Sequence, residues 1–205
     1  MSVFPIFVEM EGRTILIVGG GTVARHRVKA LLPFGPRLLV VAPEIQPELL
    51  EIPGVQICRR AFCPEDLECN PVFVVAATND LAVSSQVAAA CRARHIPVNV
   101  ADDGVSGDFP FPALVKRGDL TVGLTTVGAS PRAASLFRQK IEDILPEKTP
   151  ELLRYLRKSR EAIKAEFPAS KARTKLIRAV TDAAMQKGEP LTPEEEQMVR
   201  AKMIF

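Results

Sequence analysis

Residues Thr14 to Val18 read T-I-L-I-V, a short β-branched apolar run, and three glycines follow at once at positions 19 to 21. Thr22-Val23-Ala24 then opens a helical pattern with Val23, Val28, Leu31 and Leu32 on one side, ending near Pro33 and Gly35. A strand buried on both faces, a glycine turn and a helix start leave few folds open, since such strands belong to parallel sheets covered by helices. The rest of the first half repeats the alternation. Strands are expected at Leu38–Ala42, Val55–Cys58, Val72–Ala77 and Pro97–Val100, with an alanine-rich helix over Ser84–Arg94. Alternating strands and helices predict a parallel sheet with right-handed crossovers, an α/β class of doubly wound type.

Gly19-x-Gly21-x-x-Ala24 has the spacing and context of a dinucleotide-binding turn. In such a turn Gly19 permits the tight bend and Gly21 lets the backbone approach a pyrophosphate. Ala24 lets helix and strand pack closely, and the helix N-terminus offers free N–H groups to the phosphates. A tight turn without a ligand is the plainer alternative. The second strand ends Val41-Ala42-Pro43, with Glu44 slightly past the place where an acidic residue would meet ribose hydroxyls. No Lys or Arg follows directly to take a 2′-phosphate, so NAD is favoured over NADP. Ala76-Ala77-Thr78-Asn79-Asp80 fits a second wall of the same crevice, or a simple helix N-cap.

Val98-Asn99-Val100-Ala101-Asp102-Asp103 sets two carboxylates just past a strand, at the sheet edge where ligands of such folds sit. A carboxylate there can take a proton while a nicotinamide takes a hydride. Asp103-Gly104 alone reads as a turn. After about residue 104 the pattern changes to a Gly- and Pro-rich connection, a strand at Thr121–Thr126, and a helix capped by Ser130 with Pro131 in its first turn. From Thr149 onward the chain reads as helix, with Thr192 and Glu195 forming a capping-box pair.

Composition removes several classes. Apolar residues make up 47% of the 205 and charged residues 25%, an ordinary globular balance. A net charge of +3 with 5% aromatics gives no case for nucleic acid. No run reaches the roughly 20 apolar residues of a membrane span, and the first residues lack a basic, then long apolar, leader. A cytoplasmic protein is expected, with Cys58, Cys63, Cys69 and Cys91 reduced. Neither these cysteines nor His26 and His95 have metal-ligand spacing, so no metal site is expected. The nine Lys and Arg against two Glu between Arg154 and Arg178 suit a solvated helix face or an anion-binding role equally.

Taken in order, Phe4-Pro5-Ile6-Phe7, Ile17-Val18-Gly19-Gly20-Gly21-x-Val23-Ala24, Val41-Ala42-Pro43 and Ala76–Asp80 form a recognisable series. Val98-Asn99-Val100-x-Asp102, Asp108-Phe109-x-Phe111-Pro112-Ala113 and Gly128-x-Ser130-Pro131 continue it. The series resembles the precorrin-2 dehydrogenase / sirohydrochlorin ferrochelatase family, the NAD-dependent module of siroheme synthase, over residues 3 to 146. The resemblance implies oxidation of precorrin-2 to sirohydrochlorin with NAD+, with Asp102, not Asp103, as the catalytic carboxylate and general base. It implies cofactor contacts at Thr22 and Val23 on the glycine turn and at Pro43 and Glu44, with Thr78 lining the crevice beside Gly19 and Gly21. Some members also insert Fe2+ into sirohydrochlorin. The series departs at Thr126-Val127-Gly128, where members often carry Ser-Gly-Gly.

The expectation is therefore a Rossmann domain over 1–112, a dimerisation segment over 113–147 and a helical domain over 148–205, assembled as a homodimer. Two rivals stand beside the dehydrogenase. One is a non-catalytic NAD- or tetrapyrrole-binding regulator, and the other a ferrochelatase with a vestigial NAD site.

Overall fold

The run that dominates the sequence forms the central strand. In the computed structural model, which describes residues 2–101 and 107–204, β1 (Thr14–Val18) pairs in parallel with β2 (Arg37–Val41) on one side and β4 (Val74–Ala76) on the other. β3 (Val55–Cys58) extends the sheet beyond β2, and β5 (Val98–Val100) extends it beyond β4. The order is β3-β2-β1-β4-β5. Leu16 stands opposite Leu39 and Val74, so one register carries through the middle of the sheet.

Side chains of a strand alternate between faces, and β1 uses both. Leu16 and Val18 join Val41, Val74 and Ala76 in one core, covered by Val87, Ala88 and Cys91 of α3 (Leu81–Ala93). Ile15 and Ile17 point the other way, to Leu38, Val40 and Val75, under Ala24, Val28 and Leu31 of α1 (Thr22–Leu31). Ile15, Leu16 and Ile17 are fully buried, and each such side chain contributes about 1.5–3 kcal/mol relative to exposure. Two cores on two faces make this the doubly wound, Rossmann-type α/β sheet that the sequence predicts.

Local chemistry sets the element ends. α1 stops where Pro33 enters a 3-10 turn (Leu32–Phe34) closed by left-handed Gly35 at φ 71°. The short α2 (Pro47–Leu50) begins with Pro in its first turn. α3 starts at Leu81, three residues before the expected Ser84, because the Asp80 carboxylate accepts from the Ala82 and Val83 N–H groups at 2.8 and 3.2 Å. β4 is shorter than the apolar run 72–77 that foretold it.

Two compact units divide the described chain, one of residues 1–113 with 125–134 and one of 114–124 with 135–205. The sequence placed one strand after residue 112; the structure has a hairpin, β6 (Ala113–Arg117) and β7 (Leu120–Leu124), turned at Gly118 with φ 57°. Only Val115 of β6 is buried, so the apolar run that marks a core strand is missing. α4 (Pro131–Ile144) follows, with Ser130 Oγ accepting from the Ala133 N–H at 3.1 Å as its N-cap.

In the second unit α5 (Thr149–Glu166), α6 (Lys171–Lys187) and α7 (Pro193–Ile204) pack around Ile163, Leu176 and Val180. The expected capping box opens α7: Glu195 N–H donates to Thr192 Oγ1 at 3.3 Å, and Thr192 N–H donates to Glu195 Oε2 at 2.7 Å. No helix among the described residues is long and apolar enough to cross a membrane.

Candidate functional site: a cleft at the turning point of the sheet

Chain order runs outward from β1 to β3 in one direction and resumes at β4 on the other side of β1. The connections that leave the carboxyl ends of β1 and β4 therefore part to opposite faces, and a crevice opens between them. A cleft of about 670 Å³ lies there. Its walls are the ends of β1, β2 and β4 with the first turns of α1 and α3.

Gly19, Gly21, Thr22, Val23, Pro43, Glu44 and Thr78, the residues the sequence put forward for the cofactor, all line this one cleft. Three hydrogen bonds hold its floor. Gly19 N–H donates to the Val41 carbonyl at 2.9 Å, Gln46 N–H to the Gly20 carbonyl at 2.9 Å, and Ala77 N–H to the Val18 carbonyl at 2.7 Å. Thr22 Oγ1 and Gln46 Oε1 lie 3.3 Å apart across the mouth, and Thr78 Oγ1 accepts from the Asp80 N–H at 3.2 Å.

The three glycines are not equivalent. A Cβ on Gly19, whose φ is 129°, would lie 2.1 Å from the Ala77 carbonyl oxygen, and one on Gly20 would lie 2.1 Å from that of Glu44. These two let the turn after β1 lie tight against the chain leaving β4 and the bend after β2. A Cβ on Gly21 would meet nothing within 4 Å. Gly21 is also the N-cap of α1 and gives that helix no side-chain cap, so the first N–H groups are left for an acceptor from outside the helix. Bare backbone beside open space at a helix N-terminus is what a pyrophosphate requires.

Sequence reasoning missed part of the lining. Gln46, Phe62, Val83 and Gln86 also face the cleft. Gln46 follows the strand end closely enough that its place after Glu44 was a usable signal. Phe62 comes from the connection after β3 and Gln86 from α3, and no local pattern marks them. Asp80, offered as part of a wall or as a cap, is both: it lines the cleft and caps α3.

Asp102, the expected general base, and its neighbour Asp103 lie outside the described residues. The position just before them is described: Ala101 N–H donates to the Ala76 carbonyl at 3.0 Å, so the chain leaves β5 beside the end of β4. Among the described residues no three His, Cys, Asp or Glu side chains group closely enough to hold a metal ion.

Away from the cleft, a charge pair between exposed Arg60 and buried Asp66 secures the connection between β3 and β4. Arg60 Nη1 donates to Asp66 Oδ2 at 2.8 Å, and Nη2 pairs with Oδ1. The Asp66 carboxylate also accepts from the Cys63 N–H at 2.9 Å. The guanidinium holds the Asp66 carboxyl below the usual carboxylate range against the opposing effect of burial. Burial, with the nearby Asp108 charge adding to it, pushes the Cys91 thiol up to about 11, so it stays protonated.

Comparison with known proteins agrees with this geometry. Residues 6–113 match the family described as "Putative NAD(P)-binding". Siroheme synthase of Ectopseudomonas mendocina is 38% identical over 169 residues, 82% of this chain and 36% of that protein. Siroheme synthase of Chromobacterium violaceum is 34% identical over 206 residues, 99% of this chain and 43% of that protein. The chain thus spans less than half the length of these relatives. Among solved structures, SirC, a precorrin-2 dehydrogenase, superposes with a TM-score of 0.73 at 27% identity, covering 98% of this chain and 99% of that one. The matched segment takes in the glycine turn, every described wall of the cleft and β5, and this chain belongs to that NAD(P)-binding family.

Proposed function

We propose that the chain oxidises precorrin-2 to sirohydrochlorin with NAD+ as the acceptor, in siroheme synthesis. The observation that carries this reading is the near-complete superposition on a precorrin-2 dehydrogenase, 98% of one chain on 99% of the other, around a cleft built for a dinucleotide. The cleft passes the test of fit on its own terms, because Gly21 leaves room for a pyrophosphate against uncapped N–H groups. Thr22 and Val23 would hold the phosphates, Pro43 and Glu44 the adenosine side, and Thr78 the opposite wall. NAD+ bound there supplies the hydride acceptor.

The chain's own part is to bind, orient and move a proton. Asp102 is two residues past β5 in the sequence and, in this reading, takes the proton that leaves the macrocycle as it is oxidised. We assign the enzyme to the cytoplasm, a reading in keeping with its four unpaired cysteines. A homodimer joined through the segment 113–147 is part of the same reading. Its support is the apolar side of α4, where Leu136, Phe137 and Ile144 are exposed in the single chain.

The test is anaerobic incubation with precorrin-2 and NAD+, following NADH and the sirohydrochlorin spectrum. The wild-type chain should form both, and Asp102→Ala should lower the rate by about 10²–10⁴-fold, the usual worth of a positioned base, with NAD+ affinity kept. NAD+ binding without turnover by the wild-type chain would overturn the reading in favour of a regulator. Adding Fe2+ after oxidation shows whether the chain also speeds metal insertion.

A further inference from the structure

The cleft changes character along its length. At the glycine turn it offers backbone N–H groups, and past the end of β2 it offers side chains. β3 lies next outward from β2, with Val41 opposite Cys58, and the Ala42 N–H donates to the Cys58 carbonyl at 3.2 Å. The chain leaving β3 therefore starts beside the end of β2, and its Ala61 and Phe62 join the lining. A dinucleotide with its pyrophosphate on the glycine turn and its ribose at the end of β2 carries its base toward this outer end.

That end is apolar, braced and without a cation. Phe62 is 7% exposed and shares one apolar cluster with Val83 of α3. From outside the cleft, Arg60 Nη1 donates to the Ala61 carbonyl at 3.0 Å and to Asp66, and Asp66 accepts from the Cys63 N–H. Phe62 is thus held between two anchored neighbours, and the Arg60 charge is already engaged by a carboxylate. Among the described residues that line the cleft there is no Lys, Arg or His. An anionic group at this end would find no partner charge. A flat neutral base would bury its faces against Phe62 and Val83.

A base is told from its analogues by its edge, and an edge needs a polar partner. The cleft is lined by three side-chain amides. Gln46 is bonded to Thr22 beside the glycine turn, and Asn79 precedes α3 next to its Asp80 cap. Gln86 stands in the second turn of α3 with no hydrogen bond to another described residue. Val83 and Gln86 are three apart, so they share one side of the helix, and both face the cleft. A side-chain amide carries a donor and an acceptor side by side, the pattern that pairs with N6 and N7 of adenine. We propose that Gln86 is a specificity-determining residue of the cofactor site: its amide reads the adenine edge of NAD+ while Phe62 and Val83 hold the faces of the ring. The proposal rests on the reading of this cleft as the NAD+ site.

The experiment is calorimetric titration of the wild-type chain, Gln86→Ala and Gln86→Leu with NAD+ and with nicotinamide hypoxanthine dinucleotide. That analogue carries an oxygen in place of the 6-amino group, so the Gln86 amide oxygen would face a second acceptor. The wild-type chain should bind NAD+ at least about tenfold more tightly than the analogue. Both variants should bind NAD+ about tenfold more weakly and hold the two ligands within about threefold of each other. Gln86 is exposed on its helix, so both variants should keep the wild-type circular dichroism spectrum. A general loosening of α3 would weaken both ligands alike and leave their ratio unchanged, so the ratio separates recognition from structure.

Equal affinity of the wild-type chain for the two dinucleotides, or a wild-type ratio kept in Gln86→Ala and Gln86→Leu, would overturn the proposal. A wild-type chain that binds neither would instead remove the reading of the cleft as the NAD+ site, and this proposal with it.

Discussion

Glycines 19, 20 and 21 stand in a row and answer to different neighbours. Gly19 and Gly20 each face a carbonyl oxygen 2.1 Å from where a Cβ would stand, and Gly21 faces open space. Gly20→Ala must push away the Glu44–Ile45 backbone in the bend after β2, so it should destabilise by about 1–3 kcal/mol, read as a lower midpoint in urea. Gly21→Ala should unfold at the wild-type temperature yet bind NAD+ at least about tenfold more weakly, roughly 1.4 kcal/mol, because the methyl group enters the space left for the ligand. Unchanged affinity in Gly21→Ala would show that the pyrophosphate lies elsewhere. Spacing alone marks Gly19 and Gly21 and explains them well. It is silent on Gly20, whose constraint is the Glu44 carbonyl, a contact made with the bend after β2 and not along the local chain. Another single residue carries strain: Val127 holds φ at 51°. A β-branched residue there costs about 1–2 kcal/mol, and glycine's added freedom in the unfolded chain returns about 0.4–1 kcal/mol of that. Val127→Gly should therefore raise the melting temperature slightly, and a lowered one would deny the strain.

At the scale of elements, the sheet was legible and the hairpin was not. The strands β1, β2 and β4 are buried on both faces, so their apolar runs show directly, while β6 buries Val115 alone. Helix ends were legible where a side chain caps them, as at Ser130 and Thr192. The helices of the second unit hide something no pattern reveals, a carboxylate enclosed by three donors. Tyr155 OH donates to Glu196 at 2.6 Å, Ser159 Oγ at 3.1 Å and Arg200 Nη2 at 2.7 Å, joining α5 to α7. Burial alone would raise the Glu196 pKa, but the bonds from Tyr155, Arg200 and Ser159 together outweigh it and leave the group below its usual value. Burial first, and then Glu196, hold the Tyr155 hydroxyl well above its usual value. A lowered carboxyl gives stability that is in place above its unfolded pKa of about 4.3 and lost as pH falls through the folded value. A raised phenol gives stability present below about pH 10 and lost as pH rises through the folded value. Glu196→Gln should cost about 1.5–3 kcal/mol near neutral pH and flatten the acid limb of a urea-stability profile followed by circular dichroism. An acid limb as steep as wild type would mean that Glu196 is not its source.

For the whole molecule, the question is what covers α4. It is a helix of 14 residues with none buried, yet Ala133, Phe137, Ile141 and Ile144 recur at the spacing that lines one side of a helix. Phe137 is 52% and Ile144 78% exposed. A contiguous apolar stripe of this kind marks an interaction site more often than free surface. The simplest occupant is the same stripe on a second copy, since a two-fold axis brings identical patches together and closes the assembly at two. Sedimentation equilibrium at micromolar concentration should then give twice the mass of the chain. Phe137→Glu would set two like charges near that axis in an apolar setting, where an unpaired charge is strongly disfavoured. It should give a monomer with an unchanged far-ultraviolet spectrum. Its NAD+ affinity should be kept, because the described cleft walls come from the sheet and its own helices. A wild-type chain that sediments as a monomer, or a Phe137→Glu chain that remains dimeric, would show that the α4 stripe meets something other than itself.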